Sequence, residues 1–416
     1  MSLYEKADGL LGTHVMWQDV ENVMQKVLRT TAKFGEQRKV CDIGEMKGFM
    51  SKIALIHADW PQNSRLPDRL VVKISSELSL YGFSQLVGSS QWDTEKMEQM
   101  SPMVKECHNR EVAMYRIMQR ERPSCPTINV YALESFSDEN PLKAYIISEY
   151  IPNLIHVGMH QNISVRELGA VVDGIAAFSA MGEQMSEQEK EGTIGEVYIE
   201  EAIKYFYGNN SPNDMRKNLV EVLGVAYEEK IEETMNIFDA ICSSSTIQKN
   251  YSKISKFIGH KPVLQHSDIW PSNMLFTESN GSLQFQALID FQTASMSSPG
   301  LDVGCLLVTC LSKNDRRTCK DEILDQYYGS FLKSLKPENR IPYTREQLQT
   351  SYDLCFPAAV ILMLPFIISL SMKAGDIPGI YVASNPGASE PPSSGYSSKQ
   401  LRVERISGWH WRIGLL

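Results

Sequence analysis

Val20, Val23, Met24, Val27 and Leu28 recur at the spacing that gathers side chains on one face of an α-helix, so the chain opens with a helix that packs against another element. The pattern then changes. Residues 39–43 and 49–56 are apolar-rich stretches of strand length, with Gly44 and Gly48 between them where a hairpin turn belongs. A Pro-containing loop over residues 60–67 leads to a third short strand, Leu70-Val71-Val72-Lys73-Ile74. Residues 103–120 read as a helix carrying Glu111, and residues 144–150 as a further strand stopped by Pro152. Beyond Asn153, Ser164 and Glu167 form a capping-box pattern ahead of Leu168, Val171, Val172, Ile175 and Ala176, which begins a mostly helical second half. The pattern predicts an α+β protein, with a β-rich part over residues 1–152 and a helical part over 153–373.

Two stretches at the C-terminal end stand apart. Residues 355–372 carry no charge and are about as long as the shortest membrane helix, yet they contain Pro357 and Pro365, and a helix buried in a large domain accounts for them equally well. The expectation is a buried helix and no membrane span. Residues 374–416 crowd Pro, Gly and Ser without apolar periodicity, which predicts a disordered tail.

At 416 residues the chain is long enough for two cores, and 43% hydrophobic residues suit an ordinary globular protein. A formal charge of −9 works against wrapping a phosphate backbone, so nucleic acid is not an expected partner. The eight cysteines stand singly, with no CxxC pair, and read as reduced, mostly buried thiols rather than zinc ligands. The first residues are too polar for a signal peptide, which makes the cytoplasm the default location. No obligate protein partner is evident.

The chemistry concentrates at His266-Ser-Asp268-Ile-Trp-Pro-Ser-Asn273, the H-x-D-x-x-x-x-N spacing of a kinase catalytic loop. Phosphoryl transfer needs a carboxylate near the attacking hydroxyl and a second oxygen ligand a short loop away to hold magnesium on the phosphates. Apolar-rich strands over 274–277 and 283–289 flank Asn280-Gly281, a strong hairpin signal, and antiparallel pairing would bring the Asn273 and Asp290 ends together. Asp290-Phe291-Gln292 stands where kinases place Asp-Phe-Gly. Upstream, Lys73 occupies a strand like that of the phosphate-pairing lysine, and Glu111 on the next helix is placed to hold it. Gly44 to Ser51 supplies a glycine turn whose N–H groups and Ser51 hydroxyl could cover phosphates. His266 reads as a core histidine that orients the catalytic loop.

At these residues the chain resembles the CHK kinase-like family, related to ecdysteroid kinases, within the choline kinase and aminoglycoside phosphotransferase superfamily. The similar segments include Gly48-Phe-Met-Ser51, Cys107-His-Asn-Arg-Glu111 and Leu301-Asp302, in a span from Ala7 to Pro365. The resemblance implies a bilobal protein-kinase-like fold with a small β-rich N-lobe and a larger helical C-lobe, ATP and Mg2+ as cofactors, and phosphate transfer to a small-molecule hydroxyl. It implies Asp268 as base, Asn273 and Asp290 as metal ligands, Lys73 at the phosphates, the backbone from Glu149 to Ile151 as adenine hinge, and Asp302 as a structural aspartate. Ser267 departs from the superfamily pattern, which usually has Gly there, and the tail after Met372 departs as well. The alternative is a catalytically silent kinase-like protein that binds a metabolite or partner. A protein kinase is disfavoured, because Asp290 runs quickly into Pro299-Gly-Leu-Asp302 with no room for an activation segment. Tyr205, Phe206, Tyr207 and Trp270 are candidates for an aromatic cage around a quaternary ammonium, although core packing explains aromatics at this spacing too. Choline-like, steroid and xenobiotic alcohols all remain open as substrates.

Overall fold

The computed structural model describes residues 2–44, 50–61, 65–87, 94–159, 161–209 and 212–374. The chain divides into two compact units, Met1–Ile155 with Gln286–Ala294, and His156–Phe285 with Ser295–Leu416. The first is built on a sheet and the second is mainly helical, so the α+β class read from the sequence is the class observed.

In the first unit α1 (Trp17–Leu28) precedes the strands β1 (Lys39–Asp42), β2 (Ser51–His57) and β3 (Arg69–Ser75), then α2 (Leu78–Val87), α3 (Thr94–Glu121), β4 (Val130–Glu134) and β5 (Tyr145–Glu149). The five strands form one antiparallel sheet in the order β1-β2-β3-β5-β4. Strand alternation decides what each face does. Ala54, Ile56, Leu70, Val72 and Ile74 turn to a core shared with Val20 and Met24 of α1. Lys73, between Val72 and Ile74 and in register with Ile53 and Ile146, therefore points to the opposite face.

Three details differ from the sequence reading. Val27 is 42% exposed. The buried arc of α1 is centred on Met24 and includes Glu21, whose carboxylate accepts from the Phe34 N–H at 2.7 Å, so Val27 falls off its edge. Helix α3 begins at Thr94, not after Pro102, so the proline lies inside the helix, where it supplies no N–H to the ladder. Strands β2 and β4 also shift the picture: β2 starts at Ser51, and β4 has too few alternating apolar residues to be read from sequence.

The second unit opens with α4 (Val165–Met181), whose Ser164 and Glu167 form the expected capping box. Short helices follow, α5 (Glu187–Glu191), α6 (Tyr198–Asn209), α7 (Pro212–Leu223), α8 (Glu228–Ser243), α9 (Ser245–Tyr251) and α10 (Ile254–Ile258). Next come β6 (Val263–Gln265), the paired strands β7 (Met274–Ser279) and β8 (Ser282–Leu288), and β9 (Ser295–Ser297), which pairs antiparallel with β6. Asn280 and Gly281 connect β7 to β8 with φ of 53° and 72°, the left-handed pair that a two-residue hairpin turn requires.

Three helices complete the unit, α11 (Gly300–Cys310), α12 (Lys313–Ser334) and α13 (Arg345–Ala374). Every residue of α11 is buried. Gly300 lets it approach α13 closely, since a Cβ there would run into the Tyr352 backbone. The uncharged stretch from Cys355 lies within α13 and its side chains up to Leu364 are largely buried. No helix of the described residues is long and apolar enough to cross a membrane. The expected disordered tail lies outside the described residues, save Ala374. All eight cysteines are free thiols, five of them buried.

Candidate active site

The first unit gathers three of the expected residues into one cluster. Lys73 Nζ donates to Glu111 Oε2 at 2.6 Å and to Asp290 Oδ1 at 2.8 Å. Glu111 is only 2% exposed, and burying a carboxylate there requires a cation beside it. Burial opposes charge on Lys73, but Asp290 and Glu111 outweigh it and hold the ammonium's pKa above its ordinary value. Burial likewise pushes the Glu111 carboxyl up, with Lys73 pulling it back.

Helix α3 anchors this cluster through residues the sequence reading did not single out. Arg110 donates from Nη1 to the Gln292 carbonyl at 2.6 Å, and the Tyr115 ring meets Phe291 edge-on at 5.3 Å. One helix face thus holds Glu111 and also the turn that carries Asp290. Asp290 itself adopts φ 68°, a left-handed conformation that costs energy in a non-glycine residue and tends to mark functional turns. Tyr115 was detectable in principle, since it lies four residues after Glu111 on the same face. Arg110 stands in the Cys107-His-Asn-Arg-Glu111 segment, but the Gln292 carbonyl is a backbone group, so its partner left no signal.

The second unit builds the segment from His266 to Asn273, expected from the sequence to be a catalytic loop. After β6 the backbone N–H groups of His266 and Ser267 donate to Asp302 Oδ2 at 2.6 Å and Oδ1 at 2.8 Å. Burial pushes the Asp302 carboxyl up to about 6, against the pull of these two donors. His266 is fully buried, and its Nδ1 accepts from the Asp268 N–H at 3.3 Å, so it supports the loop from within. The Asn273 amide donates from Nδ2 to the Asp268 carboxylate at 2.8 Å and to its carbonyl at 2.9 Å. Both contacts use the amide nitrogen of Asn273.

Ser267 has φ 68°, a left-handed conformation that glycine adopts without strain. Its hydroxyl pairs with Ser295 at 2.7 Å, and Ser295 donates to Ser297 at 3.0 Å, a buried hydroxyl chain that glycine could not make. Ser267→Gly relieves a left-handed strain of about 1–2 kcal/mol and loses one buried hydrogen bond of about 1 kcal/mol. Its unfolding free energy by urea titration should therefore stay within about 1 kcal/mol of wild type. A larger loss would mean that the hydroxyl chain, not the backbone, dominates.

In the first unit Asp290 offers a carboxylate and in the second Asn273 carries an amide oxygen, each a donor type that a hard cation such as magnesium prefers. Among the described residues no group of three or more His, Cys, Asp and Glu side chains could hold a metal ion by itself. Gly44 is buried, with its N–H on Asp42 Oδ1 at 2.9 Å, and Ser51 starts β2 opposite Ser75. Gly48 lies outside the described residues. Glu149 ends β5 and exchanges two hydrogen bonds with Asn129, leaving the backbone of Ile151 without a hydrogen bond among the described residues. The side chains of Tyr205, Phe206 and Tyr207 lie outside the described set.

A family model described as DUF1679, "Uncharacterized oxidoreductase dhs-27", matches residues 3–378. The chain belongs to this family. An uncharacterized kinase-like protein of Caenorhabditis elegans, D1044.1, is 30% identical over 127 residues, and the match spans 30% of this chain and 31% of that protein. Among solved structures, a GDP complex of aminoglycoside 2'-phosphotransferase-IIIa is similar at TM-score 0.43 and 10% identity, over 96% of this chain and 98% of that one. A Plasmodium vivax ethanolamine kinase is similar at TM-score 0.40 and 11% identity, over 81% and 77% of the two chains.

Proposed function

We propose that this DUF1679 member is an ATP- and magnesium-dependent phosphotransferase acting on a small-molecule hydroxyl, of choline-, steroid- or xenobiotic-like kind. The observation that carries the reading is the double hydrogen bond of Lys73 to Glu111 and Asp290. A strand lysine fixed by a buried helix glutamate, beside the aspartate that follows the hairpin, is the phosphate-handling arrangement of kinases. In this reading Lys73 meets the nucleotide phosphates, the Gly44 to Ser51 turn covers them, and the backbone at Glu149 and Ile151 receives the adenine. Asn273 and Asp290 hold magnesium, which when bound neutralises charge on the phosphates. Asp268 takes the proton of the acceptor hydroxyl, its carboxylate oriented by the Asn273 amide and its loop fixed by His266 and Asp302. The kinase-like name of the curated relative supports the same class. The G-x-G-x-x-G spacing of a Rossmann dinucleotide cradle does not occur in the chain, where no two glycines stand two residues apart.

Ligand binding to the native state alone raises stability by about 2.7 kcal/mol at a hundred times the dissociation constant. Millimolar magnesium-ATP should therefore raise the melting temperature, and Asp290→Asn should remove the magnesium-dependent part of the rise. A melting curve that magnesium-ATP does not move rejects the nucleotide site. Labelled ATP incubated with a metabolite pool then separates an active kinase, which transfers label, from a silent binding protein, which does not.

A further inference from the structure

Helix α12 begins with a stripe of cations. Lys313, Arg316, Arg317 and Lys320 stand at the three- and four-residue spacing that puts them on one face of the first two turns. Three electrostatic costs meet here. Like charges at these spacings repel, the helix N-terminus is the positive end of its dipole, and one of the four is buried. Arg316 is only 5% exposed, and its Nη1 is enclosed with no hydrogen-bond partner among the described residues. Its guanidinium lies over the Phe356 ring at 5.5 Å, and Lys320 lies over Tyr352 at 5.9 Å. The two rings pack together at 5.4 Å to make an aromatic floor on α13.

Neighbouring acids offset only the Lys320 end of the stripe. Asp315 is turned back onto the N-cap Ser312, whose hydroxyl donates to it at 2.7 Å. Lys320 reaches Asp321 at 3.5 Å and Asp353 at 4.0 Å, while Lys313, Arg316 and Arg317 make no ion pair among the described residues. Burial and the surrounding cations, Arg317, Lys230 and Arg316, lower the Lys313 pKa, and burial lowers that of Arg316. A buried guanidinium with no counter-charge, in a chain whose formal charge is −9, is otherwise an uncompensated cost.

We infer that the N-terminal turns of α12, with Arg316 at their centre, bind an oxyanion group of a small ligand: a phosphate, sulfate or carboxylate seated against Arg316, Lys313 and the Phe356 ring. The planar fork of Arg316 suits such a group. Nothing in this inference depends on the phosphotransferase reading.

The test is the thermal stability of the full chain in sodium phosphate, sodium sulfate and sodium acetate, each against sodium chloride at equal ionic strength, for wild type and for Arg316→Met and Arg317→Gln. The oxyanions should raise the wild-type melting temperature, and which one acts more strongly identifies the preferred group. Arg316→Met should abolish that rise, and Arg317→Gln should reduce it. The magnesium-ATP response of Arg316→Met should match wild type, which separates this site from phosphate captured at the nucleotide site. In chloride alone Arg316→Met should melt no lower than wild type, because it removes a buried unpaired charge. No oxyanion response in wild type, or a response that persists in Arg316→Met, would overturn the inference. So would an Arg316→Met protein that melts well below wild type in chloride, since that outcome makes Arg316 a packing residue.

Discussion

Asp268→Asn should lower turnover by about 10²-fold or more while nucleotide affinity stays within a factor of two or three of wild type. Asparagine keeps the size of the side chain and an oxygen that can still accept from the Asn273 amide, now 2.8 Å from the Asp268 carboxylate. What it removes is the basicity that draws off the acceptor's proton. Nucleotide affinity should survive because the cluster of Lys73, Glu111 and Asp290 is internally bonded and owes nothing to Asp268. Initial rates on an acceptor found by label transfer, alongside a nucleotide titration followed by melting temperature, give both numbers. Full turnover in the variant would sink the base assignment even with the phosphotransferase class intact.

The largest expected stability effect belongs to Asp302→Ala. Two backbone N–H groups, from His266 and Ser267, lose their acceptor in a place where both residues are at most 1% exposed. A buried donor left without a partner costs about 1–3 kcal/mol, so the variant should lose about 2–5 kcal/mol by urea unfolding with an unchanged slope. Asp302→Asn should fall between, since its amide accepts from one N–H and presents hydrogens to the other. The loss should reach function as well, because Asp302 is what holds Ser267 in its left-handed conformation. A change below about 1 kcal/mol in the alanine variant would mean that water or neighbouring groups replace the carboxylate at low cost.

The parts of this architecture that sequence makes legible are those written in periodicity and in turn chemistry. Val71-Val72-Lys73-Ile74 announces a strand with one charged residue on its outer face, and the strand is there with Lys73 on the face away from α1. Asn280-Gly281 announces a two-residue hairpin because few other pairs accept two positive φ angles, and both are positive. Ser164 and Glu167 mark a helix start by satisfying backbone donors that any helix exposes. What sequence conceals is whatever depends on a contact distant along the chain. Arg110 acts on a carbonyl 182 residues away, and nothing local distinguishes it from a solvated arginine. Arg316 is similar, since an isolated row of basic residues reads as a wet helix face until burial shows otherwise. The edge strand β4 carries a register shift against β5, and irregular pairing of that kind leaves no two-residue alternation to detect.

The contact between Lys73 and Asp290 makes the protein its own counter-ion before any ligand arrives. In the proposed function, free magnesium would have to compete with the Lys73 ammonium for the Asp290 carboxylate, whereas a nucleotide would bring phosphates that draw the ammonium away and offer the metal new oxygens at the same moment. Metal alone should then bind feebly and metal with nucleotide tightly, so that occupancy follows the supply of ATP across a wide range of magnesium concentrations. An ammonium at rest against two carboxylates also spares the protein the mutual repulsion of Glu111 and Asp290.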